Sequence, residues 1–408
     1  MNYDKRRWLF LVLCIIMNGC AGIIYAWSVF SKPFIAQLNA TAADVSLSFT
    51  LMLALGSFMP IIVGKAQDYM QPRYILAIGG TLFGGGLIGI GYVDSLTKLY
   101  LFSTMTGLGV AMVYPGGTVS NMVRFFPDRR GLASGLLTAG ASLGAIIWAP
   151  VAVSLLESYG FMLAFRWLGI IILLLICASG FLVRTAPKDY RPEGLVVVST
   201  AQQNGSGIDK NWREMLKSPL FYGIAGVFLT GAISGMMIIG YVSPIVQDVL
   251  KLSPQAAAGV VVLLALANTS GRLWWGWVSD KVGRFNVVYM LLITGGAAMM
   301  GLSVAGSYYP MVGLIMTIGL CYGGLLSLMA PCTAELFGSK YLGVNFGIMF
   351  LTIGLAAVVG PRLAGVIKLS SDGYSMAFLI AAVLNVVGII ILAASLYYRK
   401  RNELSSKL

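Results

Sequence analysis

Residues 165–183 read FRWLGIIILLLICASGFLV, nineteen positions with a single charge, Arg166, near the start. The hydrocarbon core of a bilayer is about 30 Å thick, and roughly 20 apolar residues of helix cross it. A run of this length and composition reads as a transmembrane helix. Eleven more lie at about 8–31, 43–64, 74–93, 97–121, 131–156, 219–247, 255–278, 286–306, 309–333, 343–367 and 373–397. The expected fold is an all-α membrane protein of twelve transmembrane helices, called spans 1 to 12 in chain order. The first run follows Lys5, Arg6 and Arg7 and lacks a small-residue cleavage site, so it reads as a retained helix rather than a removed leader.

Immediately after the opening run comes the longest polar stretch, 184–217, which holds Pro187, Pro192 and the segment Gln202 to Gly207. It reads as a flexible linker between two six-helix bundles, 1–183 and 218–408. Trp212 to Lys217 suggests a short surface helix before Pro219. The halves share a weak repeat. Phe126, Gly131, Gly135, Thr138-Ala139-Gly140 and Pro150 are echoed by Phe337, Gly343, Gly347, Thr352-Ile353-Gly354 and Pro361. Two pseudo-symmetric bundles suit a transporter whose substrate sits between repeats near the midplane.

Composition agrees with this reading. Of 408 residues, 58% are hydrophobic and 11% charged, against roughly 45–50% and 25% in an ordinary soluble domain. That excludes a soluble enzyme, a disordered chain and a nucleic-acid binder. There is no His, and the five cysteines (Cys14, Cys20, Cys177, Cys321, Cys332) lie in apolar runs without CxxC spacing. They read as reduced packing residues, and neither a metal site nor a cofactor is expected. A membrane-embedded enzyme would need a metal or nucleophile constellation, and none is present in the sequence.

The net charge of +13 is distributed unevenly. With both termini placed in the cytoplasm, inner segments collect 21 Lys and Arg. Outer loops hold 5: Lys32, Lys98, Arg166, Lys251 and Lys368. The positive-inside rule then puts a multi-pass protein in the cytoplasmic membrane with both ends inside.

Two segments are more specific than hydropathy. Gly276-Trp277-Val278-Ser279-Asp280-Lys281-Val282-Gly283-Arg284 follows span 8 and resembles the G-x-x-x-D-[KR]-x-G-[RK] loop of the major facilitator superfamily. The corresponding loop after span 2 keeps Gly64 and Asp68 but has Pro72 and Arg73 where Gly-Arg is usual. The stretch Arg124 to Gly144, with Pro127-Asp128-Arg129-Arg130-Gly131, closely resembles the span 4–5 signature of the monocarboxylate transporters and the oxalate:formate antiporters. Small residues at Gly131, Gly135 and Ala139 make a smooth helix face along which a neighbour can slide. Arg129, Arg130 and Asp280 fall where helix ends converge, and could form ion pairs that break as a carrier turns. The resemblance adds Asp68 and Arg284 to this gating set. The alternative is that these are ordinary positive-inside charges.

A charge well inside the bilayer is costly and usually functional. Arg272 lies eight residues before Asp280, roughly 12 Å deep. Asn268, four residues earlier, shares its helix face. Guanidinium holds a carboxylate bidentately and an amide can add a bond, so Arg272 and Asn268 are the candidate anion-binding pair. The competing reading has Arg272 capping carbonyls of a neighbouring helix or snorkelling to the interface that Trp274, Trp275 and Trp277 mark. In the resembled families a span-8 Arg at this position binds the substrate carboxylate. Arg362, after Pro361, reads as snorkelling to the outer interface or as a structural tie. The antiporters carry a Lys eight residues after the Asn of their N-[YF]-G motif. Here that motif is Asn345-Phe346-Gly347 and the position is Ile353, so one cation instead of two favours a monoanion. Tyr25, Tyr114 and Tyr322 lie within spans 1, 4 and 10 with small neighbours, at positions matching aromatic cavity residues of the relatives. Each could instead simply pack. Leu325 and Leu326 replace a further aromatic and suggest a pocket for a short aliphatic acid.

The expected function is secondary active transport of small monocarboxylates of the L-lactate and pyruvate class by alternating access, as a monomer and coupled to protons. The monocarboxylate transporters usually have an Asp four residues before the span-8 Arg, where this chain has Asn268. Span 1 shows Asn18-Gly19-Cys20-Ala21-Gly22 in place of an acidic residue, and Glu335 is expected to be solvated at the end of span 10. Obligatory exchange of one carboxylate for another therefore remains open. A membrane receptor that binds solute without moving it is the reading from another class.

Overall fold

A computed structural model of the chain describes residues 3–26, 30, 34–35, 37–40, 42–67, 69–187, 190, 209–370 and 374–405, and these are helical almost throughout. The helices are α1 (Tyr3–Ala21), which tightens into a 3-10 turn over Gly22–Ala26, α2 (Ala42–Ala66), α3 (Pro72–Ile90), α4 (Leu96–Ala111), α5 (Val119–Phe125) and α6 (Arg130–Leu182). There follow α7 (Trp212–Lys217), α8 (Pro219–Leu250), α9 (Pro254–Val282), α10 (Arg284–Leu302), α11 (Tyr308–Phe337), α12 (Leu342–Ser370) and α13 (Ser375–Ser405). Prolines open α3, α8 and α9, where the missing N–H removes a bond no helix makes. The short α7 exists as expected and carries a capping box. Asn211 accepts from the Arg213 and Glu214 amides, and the Glu214 carboxylate accepts from the Asn211 amide.

Two departures from the expected spans matter. Hydropathy predicts a connection over 157–164 between spans 5 and 6, because Glu157-Ser158-Tyr159-Gly160 is polar. The structure has no loop there. The helical residues Arg130–Leu182, α6, are two helices that meet at one non-helical residue, Gly160, with φ 75° and ψ 169°. That positive φ suits glycine, so a single residue does the work of a loop. Span 4 is divided by a π-helical segment, Met112–Gly117, in which Tyr114 is extended (φ −127°, ψ 128°). Counting α4 with α5 as one span and α6 as two gives twelve long helical segments among the described residues.

The residues group into two compact units, Met1–Asp209 with Gly338–Ile348, and Lys210–Phe337 with Met349–Leu408. The expected linker, 184–217, falls largely on 188–189 and 191–208, outside the described residues. Helix association in lipid rests on close approach rather than on the hydrophobic effect, and glycines set the contacts. In the first unit a Cβ on Gly144 would collide with the Gly19 carbonyl, joining span 5 to span 1. One on Gly107 would collide with the Met52 carbonyl (spans 4 and 2), and one on Gly169 would lie 2.6 Å from the Gly84 oxygen (spans 6 and 3). The second unit repeats the scheme. Gly360 abuts Ile233 (spans 11 and 7), Gly271 abuts Leu320 (spans 8 and 10), and Gly296 faces Asn385 (spans 9 and 12). The two units thus repeat the same three helix pairings.

Candidate functional site

The second unit builds its site on α9. Arg272 Nε donates to Asn268 Oδ1 at 2.9 Å, and the two residues are only 6% and 7% exposed. The i, i+4 spacing brings them together without help from any other element. Their backbone faces α11 at Gly323, where a Cβ would collide with the Asn268 carbonyl and lie 3.1 Å from the Arg272 nitrogen. One turn further on, Trp275 packs against Gly324, 2.7 Å from a Cβ placed there. Asn268, Arg272 and Trp275 therefore form one stripe, at i, i+4 and i+7, held close against Gly323 and Gly324 of α11. The buried Trp275 indole N–H has no partner among the described residues. In the sequence, Trp274, Trp275 and Trp277 read only as interface markers. An unpaired donor is a property of packing and carries no signal in the sequence.

The aromatic candidates are placed differently from one another. Tyr322 is buried with its ring against Gly235 of α8, where a Cβ would collide with it. It lines a small cavity with Ser234, Cys321, Leu325 and Asn385. Leu325, expected in a substrate pocket, lines this internal cavity. Tyr114 is half-buried at the division of span 4 in the first unit. Tyr25 belongs to the 3-10 turn Gly22–Ala26, and its side chain lies outside the described residues. Around Tyr114 the first unit holds a buried polar network. Thr118 Oγ1 donates to Asn18 Oδ1 (2.8 Å), and Asn18 Nδ2 donates to the Leu137 carbonyl (3.0 Å). Gln67 Nε2 donates to the carbonyls of Gly116 and Gly117. Asn18, singled out in the sequence for lacking a charge, is a structural amide here.

The gating candidates sit in two clusters. In the second unit Arg284 lies 3.7 Å from Asp280 and hydrogen-bonds Glu335, whose other oxygen is 3.7 Å from Arg399. Glu335 is therefore not a solvated end-of-helix acid as the sequence suggested. It is clasped between α10 and α13, because the end of α11 brings it to two arginines that are 115 residues apart in the chain. In the first unit Arg7 holds Asp128 at 2.6 and 3.1 Å, and its guanidinium lies 4.8 Å from the Phe126 ring centroid. The exposed Arg129 reaches the same carboxylate at 3.8 Å. Arg130 is buried at the start of α6, and Arg124 donates to the Ser339 and Lys340 carbonyls at 2.8 and 2.7 Å. Asp68 lies outside the described residues. Arg362 is exposed on α12.

Residues 8–318 match the Major Facilitator Superfamily profile. An uncharacterized MFS-type transporter, YhjX, of Escherichia coli (strain K12) is 30% identical, covering 88% of this chain and 87% of that protein. The oxalate:formate antiporter of Oxalobacter formigenes is 30% identical, covering 93% and 88%. Monocarboxylate transporter 12 of Homo sapiens is 24% identical, covering 91% and 77%. In fold, the chain resembles the superfamily transporter FucP in its outward conformation, with a TM-score of 0.73 at 13% identity over 94% of this chain and 98% of that one. It also resembles the human organic anion transporter MFSD10, with a TM-score of 0.68 at 13% identity over 95% and 99%. The resemblance drawn from the loop after span 8 and from the span 4–5 segment thus extends to the whole architecture, and this multi-pass membrane protein is a transporter that belongs to the major facilitator superfamily.

Proposed function

We propose that the chain carries small monocarboxylates of the lactate and pyruvate class across the cytoplasmic membrane by alternating access, as a proton-coupled monomer with both termini inside. The observation that carries this reading is the buried Arg272–Asn268 pair. The bond from Nε to the amide fixes the guanidinium plane, and the two terminal nitrogens form the fork that suits a carboxylate. One fixed cation is matched by one anionic charge. The names of the relatives support a carboxylate cargo. Tyr114, Tyr322 and Tyr25 are proposed as further contacts, with hydroxyls that suit a carboxylate or a 2-hydroxyl. Asp280, Arg284, Arg129, Arg130 and Asp68 are proposed as the charges that hold helix ends in one state and release them in the other. In our reading Glu335 and Arg399 belong with them.

One observation favours a second reading. The i−4 partner of Arg272 is an amide, which cannot carry a proton. A carrier whose empty state leaves the guanidinium without its anion would turn only when loaded, giving obligatory exchange of carboxylates. Reconstituted protein decides between them. L-lactate uptake into anion-free liposomes, driven by an inward proton gradient, supports symport. Uptake only into vesicles preloaded with a carboxylate identifies exchange. Failure of lactate, pyruvate, acetate, formate and oxalate alike to move or compete overturns the carboxylate reading.

A further inference from the structure

An interruption at Met112–Gly117 disturbs the hydrogen-bond ladder of span 4, and carbonyls at such a point need other donors. Thr118 Oγ1 donates to the Val113 carbonyl at 3.2 Å, and one side chain from another span serves two more. Gln67 Nε2 donates to the Gly116 carbonyl at 2.8 Å and to the Gly117 carbonyl at 3.2 Å. Its Oε1 accepts from the Ser120 hydroxyl at 2.6 Å. The orientation of the amide follows from this set, since a flipped group would aim its oxygen at two carbonyls. Gln67 is 9% exposed, and a glutamine buried that deeply is tolerated when its donors and acceptor are met.

The position of Gln67 gives the bonds their interest. It follows the last residue of α2 and precedes Asp68. On its other side lies the first turn of α12, within the same unit. A Cβ on Gly343 would come 3.1 Å from Gln67 Oε1, and one on Gly64 would collide with the Gly343 backbone. The amide thus stands where the end of α2, the division of span 4 and the start of α12 meet. It bonds the segment that carries Tyr114.

We propose that Gln67 is a positioning residue: its amide clamps the Met112–Gly117 segment and so fixes Tyr114 for the substrate while the start of α12 is seated on α2. This rests on the reading of Tyr114 as a substrate contact. When the start of α12 leaves, water reaches the amide, the clamp competes with solvent, and Tyr114 loses its fixed direction. The two-state element that both ends bias is the divided helix itself. By linkage, a substrate held by Tyr114 favours the seated arrangement to the same degree.

The test has two arms. Hydrogen–deuterium exchange in nanodiscs, without substrate, compares the natural chain with Gln67→Glu and Gln67→Asn. The first is isosteric and, when ionised, keeps the Ser120 bond but donates to neither carbonyl. The second is one methylene short. Peptides covering 110–121 should exchange at least tenfold faster in both variants, with protection over 308–337 unchanged. In the second arm, labelled L-lactate uptake by Gln67→Glu should show a KM raised fivefold or more with the maximal rate retained. Adding Tyr114→Phe should then raise KM little further, because both changes remove the same fixed contact. Unchanged exchange over 110–121 overturns the clamp. KM effects that multiply independently overturn its link to Tyr114. Should the natural chain carry none of lactate, pyruvate, acetate, formate and oxalate, the functional reading fails, and the exchange arm alone decides the clamp.

Discussion

Arg7 grips Asp128 through two hydrogen bonds, at 2.6 and 3.1 Å, although the two residues are 121 positions apart in the chain. The pair closes the start of span 1 onto the segment between spans 4 and 5. Both side chains are mostly shielded, at 12% and 18% exposure, and the guanidinium also covers Phe126. A charge-assisted, bidentate pair in such a place exceeds the near-zero value of an exposed surface pair. Asp128→Asn should lower stability by about 1–3 kcal/mol. Arg7→Lys, which loses the fork and the ring contact but keeps the charge, should lower it by about 1 kcal/mol. Thermal unfolding in detergent checks both, and an Arg7→Lys protein as stable as the natural chain would show that only the charge matters.

The Arg284 cluster makes an ordering prediction. Arg284 hydrogen-bonds Glu335 and lies near Asp280, while Arg399 reaches Glu335 only at 3.7 Å. Arg284→Gln should therefore destabilise the second unit more than Arg399→Gln, by about 1–2 kcal/mol. The effect on transport should fall on the maximal rate rather than on KM, because the cluster is remote from the α9 stripe along the helix. A selective rise in KM for Arg284→Gln would place the cluster at the substrate and contradict this assignment.

How far the sequence reaches is clear from these residues. Ile170 to Leu175 can only be read as membrane, and a lone Arg272 in an apolar run announces itself by the energy of burying a charge. Local spacing also predicts the Asn268 contact, since i and i+4 are neighbours in any α-helix. Glu335 and Arg7 escaped because their partners come from distant spans, and a terminal charge looks solvated until the neighbours are placed. Gln67 reads as one polar residue of a loop, and nothing in its neighbours points to carbonyls 49 and 50 residues away. Gly160 escaped for the opposite reason, because one glycine at positive φ replaces a loop that polarity predicts.

The α9 pair gives the most direct functional prediction. Arg272→Lys keeps the charge but loses the planar fork and the Nε bond to Asn268, so carboxylate affinity should fall at least tenfold, or about 1.4 kcal/mol. Asn268→Asp puts a carboxylate where the guanidinium now meets an amide. The internal ion pair should compete with substrate, and uptake should become more steeply dependent on the proton gradient. Concentration series for labelled L-lactate at several external pH values measure both. Wild-type KM in Arg272→Lys would remove the guanidinium from the site.

Trp275 offers a cleaner separation of shape from hydrogen bonding. Its ring fills the space over Gly324, and its N–H has no partner among the described residues. Trp275→Phe keeps most of the packing and removes the donor. If the N–H meets an oxygen of the bound acid, KM should rise about three- to tenfold with little change in unfolding temperature, as for one lost hydrogen bond of 0.5–1.5 kcal/mol. If the donor is idle, KM stays put and the protein is no less stable, because an unsatisfied buried N–H has been removed.

Two glycines of α11 should respond in opposite ways to the same added methyl group. Gly313 has open space around its missing Cβ and lies on an exposed part of the helix. Gly313→Ala should therefore be neutral or stabilising, by up to about 1 kcal/mol, from helix propensity. A Cβ on Gly323 would strike the Asn268 carbonyl. That obstacle is backbone, which cannot rotate away, so α11 must move off α9 and carry the stripe of Asn268, Arg272 and Trp275 out of register. Overpacking of this kind costs about 1–3 kcal/mol or more, and transport should be lost before folding is. Expression, unfolding temperature and L-lactate uptake of Gly323→Ala beside Gly313→Ala provide the check. An active Gly323→Ala protein would mean that the close seating of α11 on α9 is not needed to hold the anion.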